Sequence, residues 1–115
     1  MGSIMHGIGG ALYEELKYNN DGQFLAGTFM DYLVPTAMEA PEMVVDHVQT
    51  PSPLTALGAK GIGEASSQTA PVAVANAVED ALFELGVKIT TLPLSSSFIW
   101  ELVEDAKRSL GKELA

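Results

Sequence analysis

Residues 23–34 read QFLAGTFMDYLV. This is the longest strand candidate in the chain, so the fold class turns on it. Its density of aromatic and aliphatic residues predicts a β-strand, with a bulge at Gly27. NNDG at 19–22 is a turn signal just before it, and Pro35 ends it. Downstream, PTAMEAPE at 35–42 reads as a loop. MVVDHVQT at 43–50 reads as a second strand, and its nearly continuous apolar character predicts burial on both faces. VKITTLPL at 87–94 is a third, short extended segment.

Helices flank these segments. In residues 1–18, Ile4, Ile8, Ala11, Leu12 and Leu16 recur at helical spacing, with Ser3 as the candidate N-cap. Gly7, Gly9 and Gly10 each weaken such a helix by roughly 1 kcal/mol relative to alanine. They point to close packing against another backbone or a ligand. Residues 70–86 give the clearest helix, with Val74, Ala75, Val78, Ala81, Leu82 and Leu85 on one stripe. Pro71 suits its first turn and Gly86 its C-terminal cap. Residues 95–111 open on a serine cap and continue as an amphipathic helix on Phe98, Leu102, Val103 and Leu110. The expected fold is therefore α+β, helices packed on a small mixed or antiparallel sheet. No repeat, linker or domain boundary interrupts residues 1–115, which read as a single domain.

Composition narrows the function. The chain has 115 residues, 47% of them hydrophobic, and a formal net charge of −9. Such acidity repels phosphate backbones and anionic lipid, which disfavours nucleic-acid and membrane-surface roles. Cysteine is absent, so this chain supplies no disulfide, thiolate nucleophile or thiolate metal ligand. No apolar run approaches membrane-spanning length. A cytoplasmic protein is the default expectation. A mean hydropathy of +0.19 is apolar for so short a chain and suggests a face covered by a partner.

The stretch 57–67, LGAKGIGEASS, concentrates glycine around one lysine and one glutamate. The order of Lys60 and the glycines fits neither the nucleotide P-loop nor the dinucleotide fingerprint. Successive backbone N–H groups in such a loop still suit an anion, and a helix start near residue 70 adds its dipole. Glu64, set among small residues in apolar surroundings, is expected to be desolvated and so suited to proton transfer. A plain surface turn with exposed Lys60 and Glu64 is the competing reading. His47, within a valine-rich run, reads as a packed or hydrogen-bonded histidine. His6 lies beside glycines where cofactor contact is conceivable. No second His or Cys stands at metal-ligand spacing, which disfavours a zinc held by side chains. Glu14 with Glu15, and Glu101 with Glu104 and Asp105, read as solvated helix faces.

Five segments together carry a resemblance: HGIGGALYEE (6–15), DGQFLAGTFMDY (21–32), FMDYLVPTAMEAP (29–41), TPSPLTALGAKGIGEAS (50–66) and APVAVANAVEDAL (70–82). They resemble the C-terminal segment of the molybdenum-binding large subunit of the xanthine oxidase family. That family includes xanthine dehydrogenases, aldehyde oxidases and aerobic carbon monoxide dehydrogenases, and the likeness is greatest to the last. The resemblance implies part of a larger molybdopterin-binding domain. It implies that Glu64 is the general base of a hydroxylation, and that Lys60, Gly61, Ile62 and Gly63 bind or shape the cofactor's seat. Gly61 and Gly63 would let the backbone approach the pterin. The implied cofactor is molybdenum–molybdopterin, with or without a cytosine dinucleotide. The implied partners are the remainder of the large subunit, iron–sulfur and flavin subunits, and a small-molecule substrate. In that case the metal is held by the cofactor rather than by side chains, and the isolated chain is inactive. His6 stands where many members carry glutamine. Loops that distinguish substrates lie upstream of the matched segment, so the substrate is not legible here. The rival reading is a non-catalytic remnant that acts as an interaction module or homo-oligomer.

Overall fold

The computed structural model describes residues 1–113. Three helices carry the fold: α1 (Gly2–Leu12), α2 (Ala65–Ala81) and α3 (Ser96–Glu113). A single 3-10 turn, Phe83–Leu85, follows α2. Among the described residues there is no strand and no sheet, only one isolated antiparallel bridge between Tyr18 and Phe24. The α+β expectation is therefore wrong for this chain. Its architecture is helical, with long extended connections.

Two of the three strand expectations fail for a local reason. NNDG does form a turn: Asn19 Oδ1 accepts from the N–H groups of Asp21 and Gln23 at 3.0 and 2.8 Å. The hairpin it starts goes little further than the Tyr18–Phe24 bridge, where the two rings meet at 5.3 Å. At Thr28 the chain turns again. The Thr28 hydroxyl donates to Asp31 at 2.9 Å, and the Thr28 carbonyl accepts from the N–H groups of Asp31 and Tyr32. A side chain that bonds its own neighbourhood competes with a ladder, and here it converts the middle of 23–34 into a turn. Residues 43–50 form no regular element, and no backbone–backbone hydrogen bond to another described residue holds them. Residues 87–94 are held by other groups: Ile89 N–H donates to the Glu79 carboxylate at 2.7 Å, and Leu94 N–H to the Ala11 carbonyl at 2.6 Å.

The principal packing contact is the crossing of α1 over α2, and Gly7 makes it close. A Cβ built on Gly7 would lie 2.7 Å from Ala70 Cβ, 2.9 Å from the Ser66 carbonyl oxygen and 3.0 Å from Pro71 Cδ. This is the close backbone approach that the glycines of α1 predict. The helix boundaries differ from the sequence reading. α1 stops at Leu12, and its N-cap is Met1 rather than Ser3. α2 starts five residues before Ala70, so Pro71 lies inside it and not in its first turn. The expected stripe on α2 is half-buried at Val74, Ala75, Val78, Leu82 and Leu85, while Ala81 is exposed. Gly86 takes the left-handed conformation expected of a terminal cap, with φ 67°. Ser95 caps α3 by accepting from Phe98 N–H at 3.3 Å.

The buried hydrophobic set is small: Ala11, Ala26, Val87 and Leu94. The radius of gyration is 18.7 Å, against about 13 Å for a compact chain of this length. Phe29, Met30, Met38, Val44, Val48, Leu54 and Leu57 are all at least 80% exposed. The apolar content read from the sequence is thus real, but much of it lies on the surface.

Candidate active-site loop

Residues 50–60 fold back on themselves and deliver the glycine loop to the start of α2. Ser52 N–H donates to the Gly58 carbonyl at 2.9 Å, and Gly58 N–H to the Thr55 carbonyl at 3.1 Å. The Thr55 hydroxyl donates to the Ala59 carbonyl at 3.1 Å. Lys60 Nζ closes the loop by donating to Thr50 Oγ1 at 2.5 Å. Lys60 is therefore committed to loop geometry rather than to Glu64. Thr50, its partner, is a position that the sequence reading passes over.

The three glycines of this loop differ in kind. Gly58 has φ +67°, and a Cβ there would meet Pro51 Cβ at 2.8 Å. The chain itself requires glycine at 58. Gly61 and Gly63 have no such need: neither has positive φ, and a Cβ on either would meet nothing within 4 Å. Both line an open depression of about 490 Å³, together with Ile62, Glu64, Ala65 and Gln68.

Glu64 is the N-cap residue of α2, and its side chain makes no capping bond. Its backbone carbonyl accepts from the N–H and the hydroxyl of Ser67, at 3.1 and 2.7 Å. The carboxylate thus stands at the positive end of a 17-residue helix. Glu64 is exposed, so the desolvated setting expected for it is not supplied by the described residues. Ile62 is 75% exposed on the same loop. Gln68 is a lining residue missed from the sequence. A helix begun at Ala65 puts it one turn beyond Glu64, on the same face, but the reading that starts the helix at 70 hides that relation.

The other candidates lie elsewhere. His6 is exposed on α1. The His47 side chain is 85% exposed and lies 3.9 Å from Asp46, so it is neither packed nor firmly bonded. Glu14 is not a plain solvated residue: its carboxylate accepts from the Tyr32 hydroxyl at 2.5 Å and holds that phenol above its ordinary range. Asp105 is exposed and Glu104 half-buried, paired with Arg108 and Lys107 one turn on. Among the described residues no group of three or more His, Asp or Glu side chains stands where it could hold a metal ion. A metal at the glycine loop would need ligands from another source.

Similarity to known proteins places this geometry. The family model for the Molybdopterin cofactor-binding domain matches residues 1–41. The nicotine 6-hydroxylase large subunit of Paenarthrobacter nicotinovorans is 44% identical over 92 residues, 80% of this chain and 11% of that protein. The carbon monoxide dehydrogenase large chain of Hydrogenophaga pseudoflava is 32% identical over 109 residues, 95% of this chain and 14% of that one. The crystal structure of quinoline 2-oxidoreductase from Pseudomonas putida 86 superposes with a TM-score of 0.83 at 43% identity, over 90% of this chain and 13% of that one. The chain belongs to the xanthine oxidase family of molybdopterin-binding large subunits. It spans between 11% and 14% of the length of these relatives. The residues of the family-model match comprise α1 and the turns after it, not the loop at Gly61–Glu64.

Proposed function

We propose that residues 57–68 are the catalytic-base loop of a molybdenum hydroxylase whose site is completed by the rest of the large subunit. The observation that carries this reading is the pair Gly61 and Gly63. They sit in open space with ordinary backbone angles, so nothing within the chain demands glycine there. What they preserve is room for a large group against bare backbone, beside a carboxylate that caps no helix and bonds nothing described.

The residues fit a molybdopterin. The backbone at 61–65 faces an open cradle that a Cβ would narrow, and the start of α2 favours the cofactor's anionic groups. Gly61, Ile62 and Gly63 would seat it, with Lys60 fixing the loop through Thr50. When bound, the molybdenum cofactor supplies the electron sink for oxidation of a small-molecule substrate. Glu64 then accepts, at a carboxylate oxygen, the proton released as the substrate carbon is hydroxylated. Enclosure by the missing polypeptide would exclude water and supply the desolvation that this chain lacks. In this reading iron–sulfur and flavin subunits take the electrons onward, and the pterin carries a cytosine dinucleotide or none. The assembled enzyme would be cytoplasmic; among the described residues no helix is long and apolar enough to cross a membrane.

Glu64→Gln in the assembled enzyme tests the reading, because it keeps shape and removes the base. Turnover should fall by at least ~10²-fold, with molybdenum content and subunit composition unchanged. Near-normal turnover would remove Glu64 from the chemistry.

A further inference from the structure

The depression beside Glu64 is nearly bare of polar side chains. Its lining is Gly61, Ile62, Gly63, Glu64, Ala65 and Gln68. Of these, only Glu64 and Gln68 have side chains that form hydrogen bonds, and only the Gln68 carboxamide can donate one to a carboxylate. Lys60, the other charged side chain of the loop, donates to Thr50 at 2.5 Å. The elements packed on α2 carry His6, on α1, and Glu84, in the 3-10 turn; neither lines the depression.

Gln68 lies four residues beyond the N-cap Glu64. That spacing brings side chains on one helix face to roughly 5–6 Å between Cβ atoms. The backbone between the two is fixed, since the Ser67 N–H and hydroxyl both donate to the Glu64 carbonyl. Their side-chain ends are not. The side-chain hydrogen bonds of 50–68 are made by Ser52, Thr55, Lys60 with Thr50, and Ser67. The Glu64 carboxylate and the Gln68 carboxamide take part in none of them, and both residues are exposed. A carboxamide suits a partnership with a base. Its N–H favours the ionised carboxylate, and the bond strengthens as water leaves. Being neutral, it leaves the carboxylate charge intact for the proton to come.

We propose that Gln68 is the positioning residue for Glu64: in the closed site its carboxamide N–H donates to one carboxylate oxygen and leaves the other to take the proton. This inference rests on the reading of Glu64 as the base. Gln68→Met keeps the length of the side chain and removes the donor. Gln68→Glu sets a like charge beside Glu64, and Gln68→Lys an opposite one.

The assembled enzyme carrying each variant tests the proposal, with molybdenum content and subunit composition as checks on assembly. Losing the donor disfavours the ionised base, so activity should fail at a higher pH. The acid limb of kcat against pH should move up by about 1–2 pH units in Gln68→Met, the scale of one hydrogen bond to a charged group. It should move further up in Gln68→Glu and not up in Gln68→Lys. A side chain that only packs gives no such ordering by charge. Infrared titration reads the same contact without turnover: the protonated-carboxyl band that Glu64→Gln abolishes should emerge at higher pH in Gln68→Met than in the parent enzyme. An unmoved band in Gln68→Met, or an unmoved acid limb in both Gln68→Met and Gln68→Glu, would overturn the proposal. With Glu64→Gln inactive, that result overturns the pairing and leaves Glu64 as the base. A shifted band together with an active Glu64→Gln enzyme would sustain the pairing and refute the base assignment.

Discussion

Gly7→Ala puts a methyl group where α1 and α2 have none to spare. The added Cβ meets Ala70 Cβ at 2.7 Å, the Ser66 carbonyl oxygen at 2.9 Å and Pro71 Cδ at 3.0 Å. None of these is the far end of a flexible side chain. A backbone oxygen, a helix-borne Cβ and a proline ring cannot rotate away, so the helices must separate. Overpacking of this kind costs typically ~1–3 kcal/mol, and three simultaneous contacts place it near the upper end. Alanine returns about 1 kcal/mol through helix propensity. The net expectation is a loss of about 1–2 kcal/mol, or roughly 4–8 °C in melting temperature at ~4 °C per kcal/mol. Gly10→Ala is the internal control. It lies on the same helix, where a Cβ meets nothing within 4 Å, so only the propensity gain applies and stability should rise by up to ~1 kcal/mol. Urea unfolding followed by far-ultraviolet circular dichroism measures both. If Gly7→Ala proves as stable as Gly10→Ala, α1 does not cross α2 at Gly7 and the packing argument is wrong.

The loop glycines should separate in the same way. Gly58→Ala is expected to disturb the loop, because it opposes both the positive φ and Pro51, whereas Gly63→Ala should leave the fold intact and lower molybdenum content of the assembled enzyme. Equal molybdenum loading in Gly63→Ala and the parent would count against the cradle. Lys60→Met removes the bond to Thr50 and should raise proteolytic nicking at 50–64 while Thr50→Ser preserves resistance; limited proteolysis reads both. Glu79 is held below the ordinary glutamate range by the Ile89 N–H and by Lys88. Its lowered folded pKa means that its contribution is present above the ordinary value and lost as pH falls through the folded one. Glu79→Gln should therefore flatten the acid limb of a stability–pH curve, and less so at high salt; an unchanged limb would show that the bond carries no linkage.

The sequence made the helices legible because their signals are local. Periodicity at Val74, Ala75 and Val78, the cap at Gly86 and the Ser95 hydroxyl each act within one or two turns, and all three reappear in the structure. The start of α2 was misplaced because Pro71 suits a first turn so well that an interior proline is the poorer guess. Gly61, Ile62, Gly63 and Glu64 are consecutive and line one depression. Thr50 and Gln68 were not legible, since their roles depend on a fold-back of ten residues and on the true first turn of α2.

The strands were misread for a different reason, and that reason bears on function. Strand propensity describes how side chains fit a pleated surface made jointly with neighbours. A helix satisfies its own backbone, but a strand does so only through another strand. Residues 43–49 carry the composition of a strand but find no ladder partner within the described residues. Their valines are exposed, while the buried hydrophobic side chains among the described residues are Ala11, Ala26, Val87 and Leu94. The glycine loop shows the same pattern one step further along the chain. Gly58 answers to Pro51 within this polypeptide, whereas Gly61 and Gly63 answer to nothing in it. Valine-rich segment and bare loop are consecutive, joined by the Lys60–Thr50 bond. Features without an internal cause, placed side by side, are what the proposed reading expects of residues whose site is completed by other polypeptide.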